Sequence, residues 1–220
     1  MKFLLTLTFL VAMGTAAQAQ GLRIGFKGGA NFSNLSGDLG TDDIYDSKLG
    51  LHGGVMLNFN LVDRFVSIQP EILYSNKGYE FNNTPFQSGS FRYEYDGRVS
   101  YHYVDVPVLV KVNSGALFFE LGPQASYLIK VRQEYTETYS LGLTGSPTTT
   151  STISNTSKDG LNQLEIGYAA GVGFQAQNGV MLGIRYNGNF SRFARENFFD
   201  GRLLNARHSV FQLYLGFLLP

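Results

Sequence analysis

The residues that could do chemistry here are few. The chain has three histidines, His52, His102 and His208, and no cysteine. Hydrolysis or acyl transfer on a strand wall would need one of them beside an Asp or Ser on the same face. His102 and Asp105 are near in sequence, but three residues apart on a strand they face opposite sides. His52 shares its face with Gly50 and Gly54, where a buried imidazole is expected to find a polar partner rather than act as a base. Glu71 and Glu120 could work as paired acids, or accept ion pairs from Lys and Arg; the second reading is preferred. Gly167, Gly171 and Gly173 have the composition of a phosphate loop, but no helix follows them. Asp38, Asp42, Asp43 and Asp46 lack the spacing of a calcium loop, and Ser, Thr and Asp in the loops show no metal-ligand spacing. The expectation is no catalytic residue, no cofactor, no metal and no enzyme.

The elements that carry these residues are strands. Over 164–174 every second residue is apolar: Leu164, Ile166, Tyr168, Ala170, Val172, Phe174. Gly, Ala or a polar residue lies between them. After Gln177-Asn178-Gly179 the pattern resumes with Val180, Leu182, Ile184, Tyr186 and Phe190. Such alternation marks two β-strands with one apolar face each. Parity selects the turn. A two-residue turn would set apolar opposite polar, so Ala176 must pair with Val180. That leaves a three-residue loop with Gly179 in the left-handed position of a bulge. The same pairing puts Gly171 opposite Arg185. Ten steps at about 3.3 Å give an apolar face of roughly 33 Å, and a tilt of about 40° reduces this to roughly 25 Å of height. That is the lipid-facing band of an outer-membrane barrel.

Six more stretches alternate in the same way: 22–34, 48–60, 65–77, 101–112, 116–131 and 208–218. With the hairpin they make eight strands, joined alternately by short turns and long connections, which is the outer-membrane pattern. Pro70 is a local misfit, since it has no N–H for a ladder. Phe59, Phe119, Phe174 and Phe217 fall at one end of the apolar faces, and Phe32, Tyr74, Tyr127 and Phe190 at the other, as two aromatic girdles. A secreted barrel with apolar residues inside would also be eight-stranded. The opposite face decides against it. That face carries Arg23, Lys27, Glu71, Lys77, Asp105, Lys111, Glu120, Glu165 and Arg185 among many glycines, as an ion-paired lumen would. Within it Glu71, Lys111, Glu120, Glu165 and Arg185 are expected to form a structural network.

Composition agrees with this. Only 15% of residues are charged and the net charge is +0, so there is no basic surface for nucleic acid. No stretch is long and apolar enough for a spanning helix. Residues 1–19 read as a cleaved signal peptide: Lys2, an apolar run from Phe3 to Met13, then Ala17-Gln18-Ala19. Residues 20–220 then form one barrel domain. The connections 78–100 and 132–161 read as long outer loops, the second rich in Ser and Thr. Tyr79, Phe81, Phe86, Phe91, Tyr93 and Tyr95 in the first are the candidate contact surface for a protein or glycan; the alternative reading is that they cap the barrel's upper rim.

The sequence resembles the PorT-like outer-membrane β-barrel proteins. The likeness lies in GFKGGANFS at 25–33, SIQPEILYSNKG at 67–78 and VDVPVLVK at 104–111, and also in GVGF at 171–174 and LGIRY at 182–186. It covers nearly all of the chain after the signal peptide. It implies an integral outer-membrane protein of a Gram-negative envelope, in contact with lipid and lipopolysaccharide and inserted by the barrel-assembly machinery, with both termini periplasmic. The chain departs from it by ending Phe217-Leu218-Leu219-Pro220 rather than on an aromatic. The expected function is a structural or interaction role through the outer loops. Membership of a secretion or envelope-transport assembly is the alternative, implied by the resemblance alone; an enzyme at the rim ranks last.

Overall fold

A computed structural model describes residues 21–36, 45–62, 65–141, 148–194 and 206–219. The expected signal peptide, Asp38, Asp42 and Asp43 of the acidic loop, and 195–205 of the last loop lie outside the described residues. The strands are β1 (Leu22–Ser36), β2 (Tyr45–Val62), β3 (Val66–Asn82), β4 (Phe86–Ser88), β5 (Phe91–Ser114), β6 (Leu117–Leu141), β7 (Thr148–Asn155), β8 (Leu164–Gln175), β9 (Val180–Asn189) and β10 (Arg207–Leu218). Eight of them pair antiparallel with both neighbours in the order β1-β2-β3-β5-β6-β8-β9-β10, and β10 pairs back onto β1. The ring is therefore closed. The strands β4 and β7 lie outside it, against β5 and β6.

The alternation sets which side of the wall each residue takes. Leu49, Leu51, Ile72, Leu121, Ile184, Leu213 and Leu215 are exposed on the outside, while Lys27, Glu71, Lys111, Glu120 and Arg185 are buried inside. All eight girdle aromatics stand on the outer face. The hairpin of β8 and β9 has the register that parity demands. Ala176 N–H donates to Val180 O at 2.8 Å, Gly179 has φ of +90°, and Gly171 pairs with Arg185. Pro70 pairs laterally with Val108 of β5, at a level where β2 and β3 have no paired residues between Met56↔Glu71 and Phe59↔Ile68. The gap in the ladder thus falls at the residue that lacks an N–H.

Two expectations need correction. The stretches 78–100 and 132–161 are largely strand, not loop. The strands β5 and β6 run to 24 and 25 residues, against 12, 10 and 12 for β8, β9 and β10. The reason is an inversion of the pattern. Above the upper girdle the outer face becomes polar and the inner face apolar, because water has replaced lipid outside and the sheet must bury its inner side. Tyr79, Phe81, Val99, Tyr101, Val131 and Tyr135 turn inward there, with Glu80, Arg98 and Arg132 outside. The second concerns the fifth alternating stretch, 116–131, whose parity puts Lys130 on the lumen face with Glu120; in the structure Lys130 faces outward. Ile129 is an extra residue between the pairs Tyr103↔Leu128 and His102↔Lys130, and this bulge reverses the parity of β6 beyond it.

Candidate functional site

The lumen is built in layers. At the lower end Met56, Phe118, Met181, Tyr214 and Leu218 form an apolar plug. Above it lies an ion network drawn from five strands. Arg185 of β9 donates Nη1 to Glu71 Oε2 at 2.7 Å and Nη2 to Glu71 Oε1 at 2.9 Å, and Nε to Glu120 Oε1 at 2.7 Å. Lys27 of β1 donates to both Glu71 oxygens at 2.9 and 3.2 Å. Gln69 N–H and Tyr214 O–H complete the shell, on Glu71 at 2.8 Å and on Glu120 at 2.9 Å. The ammonium of Lys27 lies 3.8 Å from the centre of the Tyr214 ring. Two cations thus balance two carboxylates, with the guanidinium bidentate on one of them. Gly171 stands opposite Arg185 and leaves the space in which Glu120 turns toward it.

The five residues expected to act together do not form one cluster. Glu71, Glu120 and Arg185 meet, and Lys27 joins them. Lys111 lies apart, donating to Gln175 Oε1 at 2.6 Å and covering the Phe118 ring. Glu165 belongs to a higher layer, where it accepts from Tyr103 O–H and Asn189 N–H and lies 3.2 Å from His208 Nδ1. Lys77 pairs with Asp105 at 2.8 Å and donates to Ser126 at 3.3 Å between these layers. Parity places Lys77, Asp105 and His208 inside but does not say which strands bring them together.

His102 and Asp105 stand on opposite sides of the wall. His102 lies on the outer wall, its Nδ1 2.5 Å from Tyr74 Oη, while Asp105 points inward to Lys77. The expected polar partner of His52 is missing: among the described residues neither ring nitrogen has a hydrogen-bond partner. Its ring packs over Gly29, the residue it pairs with on β1. Among the described residues no three His, Asp or Glu stand close enough to hold a metal ion.

The aromatic candidates divide. Tyr79 and Phe81 are buried, packed with Tyr45, Tyr101, Tyr135 and Phe193 in an apolar cap over the lumen, and Tyr95 packs against its edge. They are not an exposed loop, because the strand that carries them continues upward with its apolar side turned in. Phe91 packs edge-on and Tyr93 tilted against Tyr139 at the far end of the sheet. The side chain of Phe86 lies outside the described residues.

A cup of about 480 Å³ lined by Asn58, Asn113 and Gln175 opens at the lower mouth, and the apolar plug stands between it and the ion network. Plug, network and cap fill successive levels of an eight-stranded ring, whose interior is only wide enough for side chains. The refolded protein is therefore expected to show no stable single-channel current in planar bilayers. A steady conductance of porin size would mean an open lumen and overturn this filling order.

A closed antiparallel ring with an uncharged apolar outer band and paired charges inside is the construction of an outer-membrane β-barrel. The chain belongs to the family described as outer membrane protein beta-barrel domain, which matches residues 16–195. This makes it an integral protein of a Gram-negative outer membrane, its band in contact with lipid and lipopolysaccharide. No curated protein matches the chain. Among solved structures, Neisserial surface protein A is similar at 14% identity and a TM-score of 0.43, covering 90% of this chain and 96% of that one. Ail, the attachment invasion locus protein of Yersinia pestis, is similar at 12% identity and a TM-score of 0.44, covering 91% and 99%. The assignment rests on the family match and not on these distant structures.

Proposed function

We propose that this chain is a non-enzymatic surface protein that displays a β-sheet outside the cell for a protein partner. One observation supports this above the others. The strands β5 and β6 continue past the ring, and β4 and β7 lie on either side of them. Of these, β7 (Thr148–Asn155) pairs, among the described residues, on one side only, with Gln133–Ser140 of β6. Its other edge carries N–H and C=O groups with no strand partner among the described residues, its side chains are almost wholly exposed, and it has neither Pro nor charge to block a further strand. An extended segment of a partner would add there by main-chain hydrogen bonds. In this reading the long end faces outward, and the short turns and both termini face the periplasm. Residues 1–19 are the signal peptide that takes the chain there. The PorT-like resemblance is the sole support for a role in secretion, and no residue in the lumen adds to it.

The absence of cysteine allows a direct test. With single-cysteine variants in intact cells, a membrane-impermeant maleimide is expected to label Ser151→Cys on β7 and not Asn178→Cys in the β8–β9 turn. The reverse pattern would invert the orientation. In-cell crosslinking from position 151 is expected to trap an extracellular protein partner, and Thr150→Pro/Thr152→Pro to abolish the product without changing the gel shift of the folded ring. A product that persists in the double-proline variant would rule out strand addition at this edge.

A further inference from the structure

The outer wall carries a group of charges just above the upper girdle that takes no part in the lumen. Tyr74, Val104 and Tyr127 lie in one lateral row across β3, β5 and β6. Above that row the even-numbered residues of β5, and those of β6 beyond the bulge at Ile129, face outward. Pairing sets Lys130 beside His102, Arg132 beside Ser100, and Glu134 beside Arg98. From β2, Lys48 reaches Asn76 Oδ1 at 2.5 Å. Lys48, Asn76, Arg98, Ser100 and Arg132 line one hollow of about 190 Å³ in the outer wall, with Glu80, Glu134 and His102 also at its surface. His102 is two residues above the row and Arg98 six. At about 3.3 Å per residue and a tilt of about 40°, the hollow spans roughly 5 to 15 Å above the girdle. This is the level of headgroups and the sugars attached to them.

The charges there are only partly spent on one another. Arg132 pairs with Glu134 at 2.7 Å, but among the described residues neither Arg98 nor Lys130 makes a hydrogen bond or ion pair. Three cations (Lys48, Arg98, Arg132) less two carboxylates (Glu80, Glu134) leave the hollow an excess of one positive charge, and Lys130, beside His102 at its lower edge, adds a second. We infer that this hollow binds a phosphorylated sugar of an outer-leaflet glycolipid. The unpartnered guanidinium of Arg98 takes the phosphate, and the Lys130 ammonium at the lower edge strengthens the positive field around it. The carboxylates would repel a bare phosphate, but they accept hydroxyl hydrogens from a sugar, as Asn76 and Ser100 also do. A glycerophospholipid headgroup would leave those acceptors unused. Leu49, on the lipid-facing side of β2, lines the hollow where acyl chains would begin. The inference rests on the long end facing outward, where the outer leaflet is.

The test uses the full chain folded in neutral detergent micelles. It is titrated with purified short-core lipopolysaccharide, with the same lipopolysaccharide after enzymatic dephosphorylation, and with phosphatidylglycerol. The phosphorylated form is expected to bind about tenfold tighter than the dephosphorylated one. Arg98→Glu/Lys130→Glu is expected to remove that margin while the gel shift of the folded ring is kept. Should the charge reversal prevent folding, Arg98→Gln/Lys130→Gln reads the same margin. Equal affinity for the two forms, or a margin unchanged in the variants, overturns the site. Phosphatidylglycerol competing as well as lipopolysaccharide overturns the choice of a glycolipid. A micelle has no sides, so these outcomes do not depend on orientation, which the maleimide labelling decides separately.

Discussion

Glu71→Ala is expected to prevent the chain from folding into micelles, the largest effect of any single substitution in the lumen. Glu71 accepts from Arg185 twice, from Lys27, and from Gln69, and its side chain has no solvent exposure. Without it, two buried cations share the single carboxylate of Glu120. Breaking a buried pair in this way costs about 3–5 kcal/mol, a large part of the roughly 5–15 kcal/mol that holds an ordinary domain together. Glu71→Gln keeps the shape and one acceptor but not the charge, and is expected to fall between. The informative control is Glu71→Met/Arg185→Met. It removes an anion and a cation together, leaves Lys27 to balance Glu120, and fills the space with flexible apolar chains. It is expected to fold better than Glu71→Ala despite changing more. The migration of unboiled against boiled protein, and the urea midpoint in micelles, read the ranking. If Glu71→Ala folds as well as the double variant, the network does not govern packing of the lumen.

The second large effect is expected at Gly171. A Cβ there would stand 2.7 Å from Ile184 O, 2.8 Å from Glu120 Oε1 and 3.1 Å from Glu120 Cγ. The backbone oxygen cannot retreat, and the carboxylate can do so only by leaving Arg185. Gly171→Leu therefore combines overpacking, about 1–3 kcal/mol, with partial loss of a buried ion pair. Val172→Leu adds a methylene one residue along, on the other side of the wall. It extends into an apolar groove lined by Phe174, Leu182, Ile184 and Leu213 that opens to lipid, and should cost under about 1 kcal/mol. Equal folding yields for the two variants would mean that the inward face of β8 has been assigned wrongly.

Much of this was legible in the residues. Alternation named the strands of the ring, and parity at 176–180 chose the turn and set Gly171 opposite Arg185. The aromatic girdles followed from the ends of the apolar faces. These features are local. Side chains on a strand have a period of two, and a hairpin ties its two strands within a few residues.

Other features could not be read this way. Arg185 meets Glu120 and Glu71 across 65 and 114 residues of sequence, and Lys27 meets Glu71 across 44. Parity says only that such residues share the lumen; their height within it depends on the stagger of each strand around the closed ring. Lys111 and Glu165, chosen on the same grounds as Glu71, therefore belong to other layers. The inward turn of Tyr79 and Phe81 was hidden because the wall passes from lipid to water within one strand, and the same alternation then means the opposite face. The bulge at Ile129 shifted Lys130 outward, beside charges from β5. The residues themselves determined a lipid-facing wall with charges behind it. The tertiary structure alone decided which charges meet, because that depends on strand stagger, and where the wall changes solvent, because that depends on its height in the membrane.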